Sequence, residues 1–357
     1  MSAVRLLRSD TLFTPDEWRA VTRISDWRGI WLVVHAWSVI AIATLGGSWM
    51  WDQHWLAGLA ATPVVLAILG GRQLGLAILM HDAAHGLLHR HRRTNNLLGQ
   101  WLAGAPVGSD LVAYRTYHLR HHKYTQQAED PDLPLSAAFP TSSASLIRKI
   151  LRDLTGQTFF KQRSSQSALA IQGINEWLRG QASDDNRDTR AGTPFHKVGA
   201  GAGAGAEAGA TSITSGNGGA IIVAKSVGRF MAVQFVLLVL SLALWGWAPF
   251  LLWAAALATT FQLFLRLRNI AEHACTSVGS DDPFSHARTT RAGWFERATV
   301  APYWVNYHAE HHLFMAVPCY RLAQVHRLLG QRGHHPAMTI APSYAAVLRT
   351  ATTSQSV

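Results

Sequence analysis

Four stretches of the sequence are each apolar for long enough to cross a lipid bilayer, which takes about 20 residues of helix. They run from Gly29 to Trp49, Trp55 to Met80, Val227 to Trp245 and Pro249 to Leu265. In hydrocarbon every backbone N–H and C=O has to be paired internally, so the pattern predicts helices. Two short connections, Trp51-Asp52-Gln53-His54 and Gly246-Trp247-Ala248, join the stretches two by two into hairpins. Charged residues make up only 15% of the chain, against about a quarter in soluble proteins, which fits a chain surrounded by lipid.

Charge sets the expected orientation. Neither connection carries Lys or Arg, whereas the N-terminal arm, the middle and the C-terminal stretch are rich in Arg. The positive-inside rule then puts both termini and the middle in the cytoplasm, and Trp49, Trp51, Trp55, Trp245 and Trp247 in an aromatic belt at the opposite interface. The net charge of +11 is accordingly read as a membrane-face asymmetry, with no nucleic acid as partner. Cys275 and Cys319 are the only cysteines, which excludes a disulfide scaffold, thiolate zinc fingers and iron–sulfur clusters. No cleavable signal peptide is recognisable at the N-terminus.

The chain divides into a cytoplasmic N-terminal interfacial helix (1–28), a first hairpin (29–80), a cytoplasmic stretch (81–163), a flexible low-complexity linker (164–224), a second hairpin (225–266) and a C-terminal cytoplasmic region (267–357). Thr14-Pro15-Asp16-Glu17 reads as a helix start with a capping box. Ser145 to Phe160 reads as one amphipathic helix, with Leu146, Ile147, Ile150, Leu151 and Leu154 opposite Arg148, Lys149 and Arg152. Such a helix lies either in the membrane interface or against the protein's own cytoplasmic part. Gln181 to Gly219 turns polar and then into Gly/Ala repeats, too poor in apolar surface to fold.

Eighteen histidines are the compositional outlier, and they are clumped. His81-Asp82-Ala83-Ala84-His85 follows the second stretch, and Asn269-Ile270-Ala271-Glu272-His273 follows the fourth. His118-Leu119-Arg120-His121-His122 and His308-Ala309-Glu310-His311-His312 complete the set. Residues three or four apart share a helix face, so each cluster presents its nitrogens in one direction, and nine imidazoles with one amide converge just below the bilayer. A zinc site uses about four ligands, so nine imidazoles imply two metal ions, although imidazole alone does not name the metal. Asp82, Glu129, Asp130, Asp132, Glu272 and Glu310 are placed to accept the other ring N–H groups and fix tautomers.

Other histidines need weighing. His89 extends the spacing of His81 and His85, so a shifted His85–His89 pair is an alternative, while His91 falls out of register. His35, His54, His196, His286, His326, His334 and His335 have no such spacing and read as structural or solvated. Arg72 lies within the second stretch, nine residues before His81. It holds an anionic group, snorkels to the interface or pairs with another polar residue.

At HDAAH, HLRHH and HAEHH the sequence resembles the membrane fatty acid desaturase and hydroxylase superfamily, with Asn269 and His273 matching its further Asn-x-x-x-His element. The resemblance covers roughly Trp31 to Leu328 apart from the Gly/Ala-rich insert, and the box pattern is specific for the superfamily but not for substrate. It implies an all-α integral membrane protein of four transmembrane helices in two hairpins, with a cytoplasmic helical cap holding a dimetal site. The ligands it implies are His81, His85, His118, His121, His122, His273, His308, His311 and His312, with Asn269. It further implies two iron ions, dioxygen as co-substrate, and a fatty acyl or related lipid substrate, with desaturation as the expected reaction. Hydroxylation, oxidative decarboxylation and carotenoid oxygenation use the same boxes. No haem-binding segment is recognisable, so a separate ferredoxin-, rubredoxin- or cytochrome b5-like donor is expected, with the protein in the inner membrane of the cell. A membrane metal transporter or a zinc lipid hydrolase is the expectation of a different class; ligands beyond the spans speak against a transporter, whose sites lie near the bilayer midplane.

Overall fold

A computed structural model of the chain describes residues 3–5, 7–179 and 219–353. Helix α1 is Pro15–Thr22, α2 Arg28–Gln53, α3 Trp55–Ala84, α4 Arg92–Leu97, α5 Leu111–Tyr124 and α6 Leu133–Ser136. They are followed by α7 Ser143–Leu154, α8 Gln157–Leu178, α9 Gly219–Leu244, α10 Ala248–Ala258 and α11 Thr260–His273. Strand β1 (Arg288–Thr290), α12 (Trp294–Ala298), α13 (His308–Leu313), α14 (Cys319–Gln331), strand β2 (Thr339–Ala341) and α15 (Tyr344–Thr352) complete the order. The all-α expectation needs one correction: β1 and β2 pair in parallel, Arg288 opposite Thr339 and Thr290 opposite Ala341.

Among the described residues four helices are long and apolar enough to cross a membrane: α2, α3, α9, and α10 with α11 taken together. Only His54, in extended conformation, separates α2 from α3. The two helices approach closely where Gly58 faces Trp51, whose Cα would lie 2.8 Å from any added Cβ. Trp51 Nε1 donates to Thr62 Oγ1 at 3.1 Å across the same turn. At the other tight turn Gly246 adopts a left-handed φ of 96°. Trp245 Nε1 donates to Asp52 Oδ2 at 2.7 Å, so the two Trp-bearing turns lie side by side. Ile42, Phe235, Leu244 and Leu251 project outward around the bundle, an apolar surface that water would penalise.

The fourth apolar stretch is broken. Thr259 leaves helical geometry (φ −122°, ψ −85°), and Thr260 Oγ1 bonds Leu66 O of α3 at 2.5 Å. Gly70 of α3 makes room for this break: an added Cβ would stand 2.8 Å from Phe261 N. From Leu69 onward α3 is buried throughout, to its end at Ala84. Its terminal carbonyls, which a helix leaves unpaired, are taken up by side chains. Arg115 Nε reaches Ala84 O at 2.8 Å, and Asn95 Nδ2 reaches Ala83 O at 2.9 Å.

The capping box at Thr14 is present: Glu17 N–H donates to Thr14 Oγ1 at 3.3 Å, and Thr14 N–H to Glu17 Oε2 at 2.7 Å. The single helix expected over Ser145 to Phe160 is two, because Gly156 takes a left-handed φ of 77° between α7 and α8. One face of α7 packs against the protein itself, which is one of its two expected placements. Leu146 is buried and Asp153 pairs with Arg266 of α11, while Ile147 and Leu151 face outward. Within the stretch expected to be a linker, 164–224, the two ends are helical: α8 continues to Leu178 and α9 begins at Gly219. Gly173 packs against the α9 backbone, with Ile221 N 2.7 Å from an added Cβ. The Gly/Ala-rich remainder, including His196, lies outside the described residues.

Candidate metal centre

Every histidine of the four clusters lies at one site beneath the ends of α3 and α11. The imidazoles form two sets, His81, His85, His118, His122 and His311 in one, His121, His273, His308 and His312 in the other. Within each set the ligand atoms fall within 4.8 Å of one another. The boxes do not present all their nitrogens one way, as their spacing alone suggests. Residues four apart on a helix differ by about 40° in direction and residues three apart by about 60° the other way. His118 with His122, and His308 with His312, therefore stay together, while His121 and His311 turn to the opposite set.

The chemistry of this donor set fits metal ions. His273 Nδ1 lies 3.1 Å from His286 O and must carry the proton it donates, so its Nε2 is a bare lone pair. His308 Nδ1 lies 3.3 Å from the Glu272 carboxylate. The Nε2 atoms of His273 and His308 stand 2.8 Å apart, so a proton or a cation has to lie between them. In the other set His122 Nε2 lies 2.9 Å from both His118 Nε2 and His311 Nε2. Both ring nitrogens of His81 and Nε2 of His85 are buried without a protein partner, although buried polar atoms are normally satisfied.

Electrostatics prepares most of the set for metal. Burial, followed by repulsion from neighbouring imidazoles, holds His118, His122, His311 and His312 well below the ordinary histidine range. Burial and Arg115 bring His85 down to about 4. His121 is the exception: burial works to lower it, but Asp130 and Asp132 prevail and raise it to about 9.

The acidic residues take more varied roles than the sequence implies. Asp130 accepts from His121 Nδ1 at 2.8 Å, and Glu272 supports His308, as expected. Asp82 lies 3.9 Å from His81 Nδ1 and instead accepts from Cys319 N–H at 3.0 Å. Glu310 accepts from His326 Nδ1 at 2.6 Å and from Thr289, so it anchors α13 to α14 and β1 without touching a ligand imidazole. Glu129 touches no ligand ring: its Oε2 is buried without a partner. Asn269 lines a cavity of about 20 Å³ with His118, His121, His273 and His308, which is room for one water.

The shifted pair is absent. α3 stops at Ala84 and Gly86 turns left-handed, so His89 leaves the helical register, and its Nδ1 accepts from His91 N–H at 3.0 Å. His35, His54, His286, His326, His334 and His335 also lie outside the two sets. Two supports lie outside the histidine spacing: the Arg268–Glu272 pair at 2.6 Å, whose i,i+4 spacing on one helix was readable in the sequence, and Arg115 closing α3 from 31 residues away, which had no signal there.

Comparison with known proteins agrees with this geometry. The chain is 24% identical over 289 residues to the dihydrorhizobitoxine desaturase of Bradyrhizobium elkanii, covering 80% of this chain and 70% of that protein. It is 31% identical over 150 residues to the beta-carotene ketolase of Haematococcus lacustris, covering 36% of this chain and 45% of the ketolase. The family described as fatty acid desaturase matches residues 53–341, which includes every histidine of both sets, and the chain belongs to that family.

Proposed function

We propose that the protein is an integral membrane oxidoreductase that desaturates an apolar acyl chain, using dioxygen and two electrons from a separate donor protein. The single observation that carries this is the division of nine histidines into two adjacent buried sets at the ends of apolar helices. C–H oxidation requires a redox metal, and two iron ions held by these sets, with Asn269 beside the second, would supply the oxidising power for the reaction. The balance is a CH2–CH2 unit plus O2, two electrons and two protons, giving CH=CH and two waters. The chain's own part is to fix the ligand imidazoles as neutral donors, to keep bulk water out with α3 and α11, and to hold the rings in place through Asp130, Glu272 and the His286 carbonyl.

The orientation that goes with this proposal puts the two Trp-bearing turns on one side of the membrane and the histidines on the cytoplasmic side. Arg-rich segments flank the histidines and are missing from the turns. Oxygen insertion into a carotenoid ring is the second proposal, favoured by the likeness to a beta-carotene ketolase.

One experiment tests both. A host that also makes β-carotene expresses the protein or its His85→Ala variant, and its fatty acids and carotenoids are profiled. New double bonds in acyl chains, absent with the variant, support desaturation; ketocarotenoids support the second proposal. Full activity of zinc-loaded protein under nitrogen would exclude both.

A further inference from the structure

Arg72 is a buried cation in an apolar helix. It is 7% exposed and sits nine residues before His81, roughly 13 Å along the helix axis. Its Nη2 donates to the carbonyls of Arg297 and Ala298 at 3.1 Å each, at the C-terminal end of α12. The guanidinium also lies over the Tyr303 ring, 5.3 Å from its centroid. Carbonyls and an aromatic face supply partial negative charge only. Among the described residues no carboxylate pairs with Arg72, and Glu296, the acid of α12, instead accepts from Gly293 N–H at 2.9 Å.

Beside this cation opens a surface groove of about 670 Å³. Arg72 and Arg297 give it a cationic end, with the His35 ring beside them, and Val39, Ile68 and Trp294 give it an apolar wall. Trp294 is 83% exposed, at the rim. A guanidinium inside an apolar span is costly unless its charge is used, and its planar fork matches carboxylate or phosphate oxygens.

We propose that this groove binds the anionic head of an amphiphile, a carboxylate or a phosphate, with the apolar chain laid along Val39 and Ile68. The site is separate from the histidine sets and does not rest on the chemistry proposed for them. The anion has two sources, a free fatty acid or a membrane phospholipid.

Equilibrium binding to the purified full-length protein in neutral detergent tests the proposal and separates the sources. The probes are labelled oleate against methyl oleate, and labelled dioleoyl phosphatidylglycerol against diolein. Wild-type protein is expected to prefer at least one anionic probe over its neutral counterpart. Arg72→Gln is expected to lose that preference by about tenfold or more, the equivalent of one charge-assisted contact. Val39→Trp narrows the groove without touching the Arg72 contacts and is expected to weaken the same probe; it decides the matter if Arg72→Gln does not fold, which metal content reports. Loss confined to oleate assigns the site to a fatty acid, and loss confined to phosphatidylglycerol assigns it to a membrane lipid. The proposal fails if wild-type protein shows no preference for charge, or if metal-loaded Arg72→Gln binds both anionic probes as wild type does.

Discussion

His121 donates its Nδ1–H to Asp130 Oδ1 at 2.8 Å, deep in the centre, and this pair makes His121 the one box histidine whose affinity for protons is raised. With its titration lifted to about 9, His121 is an imidazolium in metal-free protein at neutral pH. A metal entering its set has to displace that proton. Affinity at this set is therefore expected to rise with pH up to about 9 and to level off above it. Adding metal to metal-free protein at neutral pH is expected to release about one proton from this residue. Asp130→Asn keeps an acceptor but removes the charge, so the release should fall. Indicator-dye titration of the two proteins measures it, and equal release from both would disprove the assignment.

His85 and His91 are six residues apart and should behave oppositely. His85 belongs to the first set, so His85→Ala is expected to lose metal and to lower turnover by about 100-fold or more. His91 is exposed beyond the end of α3, and His91→Ala should keep metal content and turnover within about twofold. Asn269→Ala should lower turnover more than metal content, because its amide faces a cavity of one water's size. Metal analysis beside turnover distinguishes these cases. Retention of metal by His85→Ala together with its loss from His91→Ala would shift the first box.

The clusters were legible because two of them begin where an apolar stretch ends and all are written in helical spacing. Their division was not, since His121 and His122 are neighbours in sequence and only the turn of about 100° per residue sends them to different sets. Contacts across long sequence separations left no trace at all: Arg115 on the end of α3, Glu310 on His326, Arg72 on α12. The break at Thr259 was hidden too. No proline marks it, and its cause is a tertiary bond from Thr260 to Leu66. Periodicity likewise missed the join between α7 and α8, where a single left-handed glycine divides one apolar stripe.

Asp153 and Arg266 form a buried pair that fastens α7 to α11, with Arg266 Nη2 2.8 Å from Asp153 Oδ1. Asp153→Ala strands a buried guanidinium and is expected to cost about 3–5 kcal/mol. The double replacement Asp153→Leu with Arg266→Met removes both charges and should cost less than the single one. Thermal melts in detergent measure the difference. A double variant less stable than Asp153→Ala would show that the pair contributes more than mutual neutralisation.

Gly70 allows α3 to touch the broken helix. Gly70→Val would push against the backbone of Thr260 and Phe261 and is expected to destabilise the protein by about 1–3 kcal/mol. Metal content should fall with it, since α3 carries His81 and α11 carries His273. A variant with an unchanged melting temperature would place the packing of these helices elsewhere.

The crossing of ligands between the two sets has a consequence for how the chain can vary. Because α5 and α13 each give imidazoles to both sets, the spacing of the two sites is measured out by the pitch of the helices themselves. Loops serve only to bring the helices together. Insertions between helices, such as the long Gly/Ala-rich stretch ahead of α9, leave that ruler unaltered, whereas adding or removing one residue inside either helix would send every later ligand on it to the wrong partner.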